Sequence, residues 1–152
     1  MVRESQLSAW IERVAAHFVA EGIPLIGGRI LAYLLVCDPV ERTAAELSEE
    51  LEASSGSIST NVRLLMNLGV VTKTTRRGRQ AAEYRLDVQG WSDMVHRRLE
   101  TLVRTRELTS GGLRLLSGDP QRAHRLRTID ELYGWLATEL PDVWERRPAP
   151  PR

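Results

Sequence analysis

The amino-acid sequence predicts a mainly helical chain of the α+β class with one small β-hairpin. Apolar residues recur at helical spacing over most of its length. Only two short runs, residues 70–75 and 82–86, alternate as strands do. Those runs are joined by a basic turn with Gly78 at its bend.

Taken in order, residues 6–20 place Leu7, Trp10, Ile11, Val14 and Phe18 on one stripe, and Gly22 and Pro24 end that helix. Residues 26–37 are apolar nearly all round (Ile30, Leu31, Leu34, Leu35, Cys37), the pattern of a buried helix. The ring of Pro39 disfavours helical geometry at Asp38 and stops it. Thr43 and Glu46 form a capping box that opens a third helix through Glu52, with Ala44, Leu47 and Leu51 inward and Glu49 and Glu50 outward. After a short turn, Ser54 is a suitable N-cap for a fourth helix, residues 55–68, whose core positions are Ile58, Val62, Leu65 and Met66. Gly69 supplies its left-handed stop.

The β-branched run after Gly69 and the run through Tyr84 and Leu86 make the hairpin. Beyond Asp87, the residues Trp91, Met94, Val95, Leu99, Leu102 and Val103 mark a long amphipathic helix, and Gly111-Gly112 and Gly118-Asp119-Pro120 punctuate the chain after it. A last helix, residues 121–139, carries Ala123, Leu126, Ile129, Leu132, Tyr133 and Leu136 on one stripe that continues to Leu140. Residues 146–152 are Pro-rich and are expected to be disordered. The order is helix, helix, helix-turn-helix, hairpin, helix, helix, which describes a winged helix-turn-helix core between N- and C-terminal helices.

Composition narrows the function. The chain has 152 residues, 42% hydrophobic and 27% charged, ordinary values for a globular protein. No apolar run approaches the ~18–20 residues of a membrane span, and the first ten residues lack the apolar core of a secretory signal. With 1 cysteine no internal disulfide is possible, which suits a reducing compartment, so a cytoplasmic location is expected. Cys37 lies on the apolar helix, where a buried, inert thiol is the expectation. No glycine-rich phosphate loop, nucleophile–base pairing or metal-ligand cluster is legible, and His17, His96 and His124 have no partners at ligand spacing. Neither an enzyme, a metal site nor a cofactor is expected.

The formal net charge of +1 hides an asymmetry. Residues 1–53 hold 4 basic and 9 acidic side chains, a balance of −5. Residues 54–86 hold 6 basic ones (Arg63, Lys73, Arg76, Arg77, Arg79, Arg85) against Glu83, a balance of +5. Residues 87–152 hold 11 against 10. Positive charge concentrated in one segment suits a polyanion.

That segment also carries the residue types that read DNA. On the fourth helix the expected outer face comprises Ser55, Gly56, Ser57, Ser59, Thr60, Asn61 and Arg63, preceded by Ser54. Small hydroxylated residues and helix N-terminal N–H groups bond phosphate oxygens, while asparagine and arginine suit the edges of adenine and guanine. The hairpin adds Lys73, Arg76, Arg77, Gly78, Arg79 and Gln80, a thin basic loop suited to a minor groove. Singly, each residue is equally well read as a helix cap or a solvated surface side chain. Their combination favours double-stranded DNA as partner. The alternative is a winged-helix protein-interaction module without DNA binding, against which the basic hairpin argues.

The run from Thr43 to Leu65, with Leu68-Gly69-Val70-Val71 after it, resembles the helix-turn-helix of MarR-type regulators. The upstream stretch from Gly22 to Leu35, closing on Asp38-Pro39, and the segment from Gly78 to Arg85 are similar to the GbsR-like branch of that family. The resemblance covers about Gly22 to Leu86. It implies a winged-helix homodimer on a palindromic operator, usually a repressor relieved by a small molecule.

The core of the fold leaves apolar stripes over. Leu7, Trp10, Ile11 and Val14 on the first helix, and Leu126, Ile129, Leu132, Tyr133 and Leu136 on the last, are the expected dimer interface. Pairing there would set two recognition helices about one DNA turn apart, ~34 Å. The expected division is a dimerisation helix at residues 1–24, the DNA-binding domain at 25–87, a helical dimerisation and effector region at 88–145, and the tail at 146–152.

Overall fold

The structure is a computed structural model and describes residues 4–75, 78 and 81–149. Among these, six helices and three short strands occur in the order α1 (Glu4–Ala20), α2 (Leu25–Leu34), β1 (Arg42–Thr43), α3 (Ala44–Glu50), α4 (Ser55–Asn67), β2 (Val71–Thr74), β3 (Glu83–Leu86), α5 (Val88–Leu115) and α6 (Pro120–Glu145). No helix among the described residues is long and apolar enough to cross a membrane. The chain divides into two compact units, one ending at Ser92 and one beginning at Asp93.

In the first unit, α1 lies along α2, and α3 and α4 form the helix-turn-helix. The side chains of Ile30, Leu31, Leu47, Ile58, Val62, Leu65 and Val70 are fully buried and make its core. They come from α2, α3, α4 and the start of the hairpin, so one apolar centre fixes all four elements. The strands form an antiparallel sheet in the order β1-β3-β2. Val71 pairs with Leu86 and Thr74 with Glu83 across the hairpin, and Arg42 pairs with Tyr84 on the other edge. Arg42 also anchors the loop after α2: its Nη2 donates to the Asp38 carbonyl at 2.6 Å and its Nε to the Tyr33 hydroxyl at 3.2 Å. Phe18 of α1 meets Trp91 edge-on, with ring centroids 5.6 Å apart. Arg29 on α2 faces Glu12 on α1, Nη2 donating to Oε2 at 2.9 Å and Nε lying 2.8 Å from Oε1.

In the second unit, α5 and α6 run antiparallel. His96 stacks on Trp144 at 4.5 Å, and Thr109 donates to Asp130 at 2.6 Å. A β-carbon on Gly112 would sit 2.7 Å from Leu126.

Several boundaries depart from the sequence expectation. Helix α2 ends at Leu34 rather than reaching Cys37, whose half-buried thiol lies in the turn beyond; burial pushes that thiol up from its usual range. Strand β1 is absent from the sequence expectation, since two residues show no alternation. Helix α5 continues through Gly111-Gly112 to Leu115 rather than breaking there. An interior glycine costs a helix roughly 1 kcal/mol, and at Gly112 the missing side chain leaves the space that Leu126 occupies. Helix α6 runs on past residue 139 through Pro141 to Glu145. The proline lies within the last turns, and the ring contact of Trp144 with His96 holds the segment beyond it. Residues 146–149 come next, exposed and outside regular structure, while 150–152 lie outside the described residues.

Candidate nucleic-acid interface

The helix-turn-helix is set by its caps. Thr43 and Glu46 make the reciprocal capping box: the Thr43 hydroxyl accepts from the Glu46 N–H at 3.2 Å, and the Glu46 carboxylate accepts from the Thr43 N–H at 2.7 Å. After α3 the chain turns through Glu52, at φ 48°. Ser54 then caps α4, its Oγ accepting from the Ser57 N–H at 3.2 Å. That hydroxyl belongs to the helix start and is partly committed before any ligand arrives. At the far end Gly69 takes φ 78° and its N–H bonds the Met66 carbonyl at 2.9 Å, turning the chain into β2.

The outward side of α4 carries Ser55, Gly56, Ser59, Thr60 and Arg63, all exposed as the sequence suggests, and Ser57 half-buried. Asn67 extends the same stripe: Gly56, Thr60, Arg63 and Asn67 succeed one another at spacings of four, three and four residues. The sequence expectation ends at Arg63, although the spacing alone reaches Asn67.

Asn61 is a correction. The sequence places it on the outer face as a reader of adenine, yet it is only 7% exposed. The helical period explains this. Asn61 comes three residues after Ile58 and four before Leu65, so it shares the buried stripe. Its Nδ2 donates to the Ser57 carbonyl at 2.9 Å, inside its own helix, and its Oδ1 lies against Gly27 of α2.

On the hairpin, Lys73 is exposed on β2 opposite Tyr84, and Arg85 is exposed on β3, its Nε 3.4 Å from the Thr72 hydroxyl. Gly78 sits exposed at φ 89°, a left-handed geometry that a tight turn needs and glycine permits. Arg76, Arg77, Arg79 and Gln80 lie outside the described residues. Around the end of α3 the surface is acidic, with Glu49, Glu50 and Glu52 exposed. Negative charge there disfavours a polyanion at that end of α3. Among the described residues no group of His, Cys, Asp and Glu is placed to hold a metal.

Of the expected interface residues elsewhere, Leu7, Trp10, Ile11 and Val14 are half-buried on α1. On α6, Ile129 and Leu132 are exposed, Tyr133 and Leu136 are half-buried, and Leu126 packs against Gly112 within its own helical pair.

Known proteins share this arrangement. A family model described as an MmpR5-like MarR family transcriptional regulator matches residues 89–146. The HTH-type transcriptional regulator MmpR5 of Mycobacterium tuberculosis is 32% identical over 148 residues, covering 96% of this chain and 89% of its own. A solved structure described as a transcriptional regulator is 30% identical and superposes with a TM-score of 0.71, covering 93% of this chain and 97% of its own. A helix-turn-helix leading into a hairpin, shared with a relative along nearly its whole length, places the chain in the MarR family of DNA-binding transcriptional regulators.

Proposed function

We propose that the chain acts as a dimeric, cytoplasmic repressor that binds a palindromic operator and is released from it by a small molecule. The observation that carries the reading is the exposed stripe of Ser55, Gly56, Ser59, Thr60 and Arg63 on α4, next in sequence to a hairpin bearing Lys73. In this reading α4 enters the major groove. Its first residues and the Ser54–Ser57 turn hold phosphates, and Arg63 reads a base edge. The wing residues Lys73, Arg76, Arg77, Arg79 and Gln80, turning at Gly78, reach backbone or minor groove. The stripes of α1 and α6 pair two copies so that the half-sites lie one DNA turn apart, ~34 Å. Residues 25–87 then form the reading domain, and residues 1–24 and 88–145 the pairing region. The stretch from Gly22 to Leu35 supports a place near the GbsR-like branch.

The test is a gel shift on the region upstream of the protein's own gene, repeated across salt. Sequence-specific binding that weakens steeply with salt is expected, each neutralised phosphate adding about −0.9 to the log–log slope. Arg79→Ala is expected to weaken binding on all sequences alike. Absence of any shift at low salt overturns the reading.

A further inference from the structure

We infer that Asn61 and Gly27 form a seat that fixes how α4 is presented to DNA, making Asn61 a positioning residue rather than a reader of bases. The inference rests on α4 being the recognition helix. Asn61 is 7% exposed on the side of α4 that faces α2, so its amide has no path to a base edge without α4 turning about its axis. The donor half of the amide is used within α4, on the Ser57 carbonyl. The acceptor half, Oδ1, is buried with no hydrogen-bond donor among the described residues. It lies so close to α2 that a β-carbon on Gly27 would come 3.0 Å from it and 3.0 Å from the Ile23 methyl Cγ2. A buried amide oxygen without a donor is costly, and an apolar residue would avoid that cost. What the oxygen supplies is a small radius at this close approach of the two helices.

The next residue extends the arrangement. A β-carbon on Gly28 would come 2.9 Å from the Ala15 Cα and 3.0 Å from its carbonyl oxygen, on a neighbouring face of α2. The adjacent glycines therefore let α2 touch α1 backbone on one face and the Asn61 amide on the next. Close packing of α2 on both α1 and α4 ties the placement of α4 to that of α2, the kind of support that a precisely placed recognition surface requires.

The probe is duplex DNA selected by the wild-type protein from a randomised pool, together with its single-base variants. Binding is read by fluorescence anisotropy after thermal melting has confirmed a folded protein. Asn61→Ala, Asn61→Leu and Gly27→Ala are each expected to weaken binding about tenfold, or ~1.4 kcal/mol, by the same factor on every base variant. The Gly27→Ala/Asn61→Ala pair is expected to bind no worse than Gly27→Ala alone, because the shorter side chain removes one of the two close contacts of the new methyl and leaves only that with Ile23. Loss of discrimination at one base pair in either Asn61 variant overturns the proposal, as does an additive, hundredfold loss in the pair. Should Gly27→Ala fail to fold, the two Asn61 variants carry the same test, since they leave Gly27 intact. Arg63→Ala separates the layers. If it weakens binding while the Asn61 and Gly27 variants do not, only the seat fails. If it too binds as wild type, the recognition-helix reading fails.

Discussion

Asp130 on α6 accepts a 2.6 Å hydrogen bond from the hydroxyl of Thr109 on α5, and both residues are buried. Ser110 donates to the same oxygen at 2.8 Å, and Arg106 Nε stands 3.1 Å from it. A β-carbon on Gly134 would collide with the Arg106 guanidinium, so the glycine makes the notch in which that group lies. Slipping α5 against α6 by one turn would part the carboxylate from the Thr109 and Ser110 hydroxyls. The network thus specifies one register for the helical pair, whatever its net worth in stability.

The same network gives a pH prediction. The Thr109 hydrogen bond, then that of Ser110 and the charge of Arg106, holds the Asp130 carboxyl below its ordinary value. A group depressed in the folded state contributes stability that is fully present above the unfolded pKa and is lost as pH falls through the folded one. Stability is therefore expected to decline below about pH 4, where free aspartate titrates. Asp130→Asn keeps the acceptor but removes the titration, so its melting temperature should fall less steeply with acid than that of the wild type. Parallel curves for the two proteins would contradict this.

Ser54 separates cap from contact. Its Oγ caps α4, so Ser54→Ala is expected to cost about 1 kcal/mol in chemical denaturation. Ser54→Asp retains a good N-cap and favours the positive end of the helix dipole, so stability should be kept or slightly raised. The added carboxylate faces incoming phosphate, so DNA affinity should drop while stability does not. A variant that binds DNA as tightly as wild type would show that this end of α4 does not meet the backbone.

Arg63 and Lys73 should differ in kind. Arg63 lies mid-helix on the exposed stripe, and in the proposed reading its guanidinium reaches a base edge. Arg63→Ala is expected to cost ~1–3 kcal/mol on the preferred sequence and to relax preference at one base pair. Lys73 lies on the hairpin and is exposed, a position suited to phosphate. Lys73→Ala should weaken all sequences alike and shallow the salt slope by about 0.9. Titrations at several salt concentrations on preferred and scrambled duplexes distinguish the two.

Structural features differ in how far the sequence reveals them. The capping box of Thr43 and Glu46, the Ser54 cap and the Gly69 stop are local, set by residues within four of each other, and so the sequence shows them directly. The face of α4 is legible wherever residue type and helical phase agree. It fails at Asn61, where a polar type sits in an apolar phase and phase wins. The partner of Arg29 is out of reach because Glu12 lies 17 residues away on another helix, and only the packing of α1 on α2 brings them together. Strand β1 is two residues long, and its pairing with Glu83 and Tyr84 spans about half the first unit. Gly111-Gly112 reads as a break because a glycine's usual weakness in a helix says nothing of the side chain that occupies the space it leaves.

Among the described residues, the second unit exposes several large apolar side chains, for which a partner surface is expected. On α6, Leu132 is 51% and Trp135 60% exposed, and on α5 Leu108 is 78% and Leu115 88% exposed. Isolated exposed apolar residues are ordinary, but Ile129 and Leu132 lie three residues apart on α6, so they neighbour each other on its exposed side. A second copy related by a two-fold axis covers such a surface without any new chemistry, because each patch meets its own image. Leu126 is excluded from that role, since it already fills the space beside Gly112. Leu132→Asp is therefore expected to shift the protein from dimer to monomer in light scattering, whereas Leu126→Ala should lower the melting temperature and leave the mass unchanged. The monomer should retain its helical signal and bind a single half-site weakly, having lost the second recognition helix rather than the first. An unaltered mass for Leu132→Asp would move the interface away from α6 and leave the α1 stripe of Leu7, Trp10, Ile11 and Val14 as the surface that pairs.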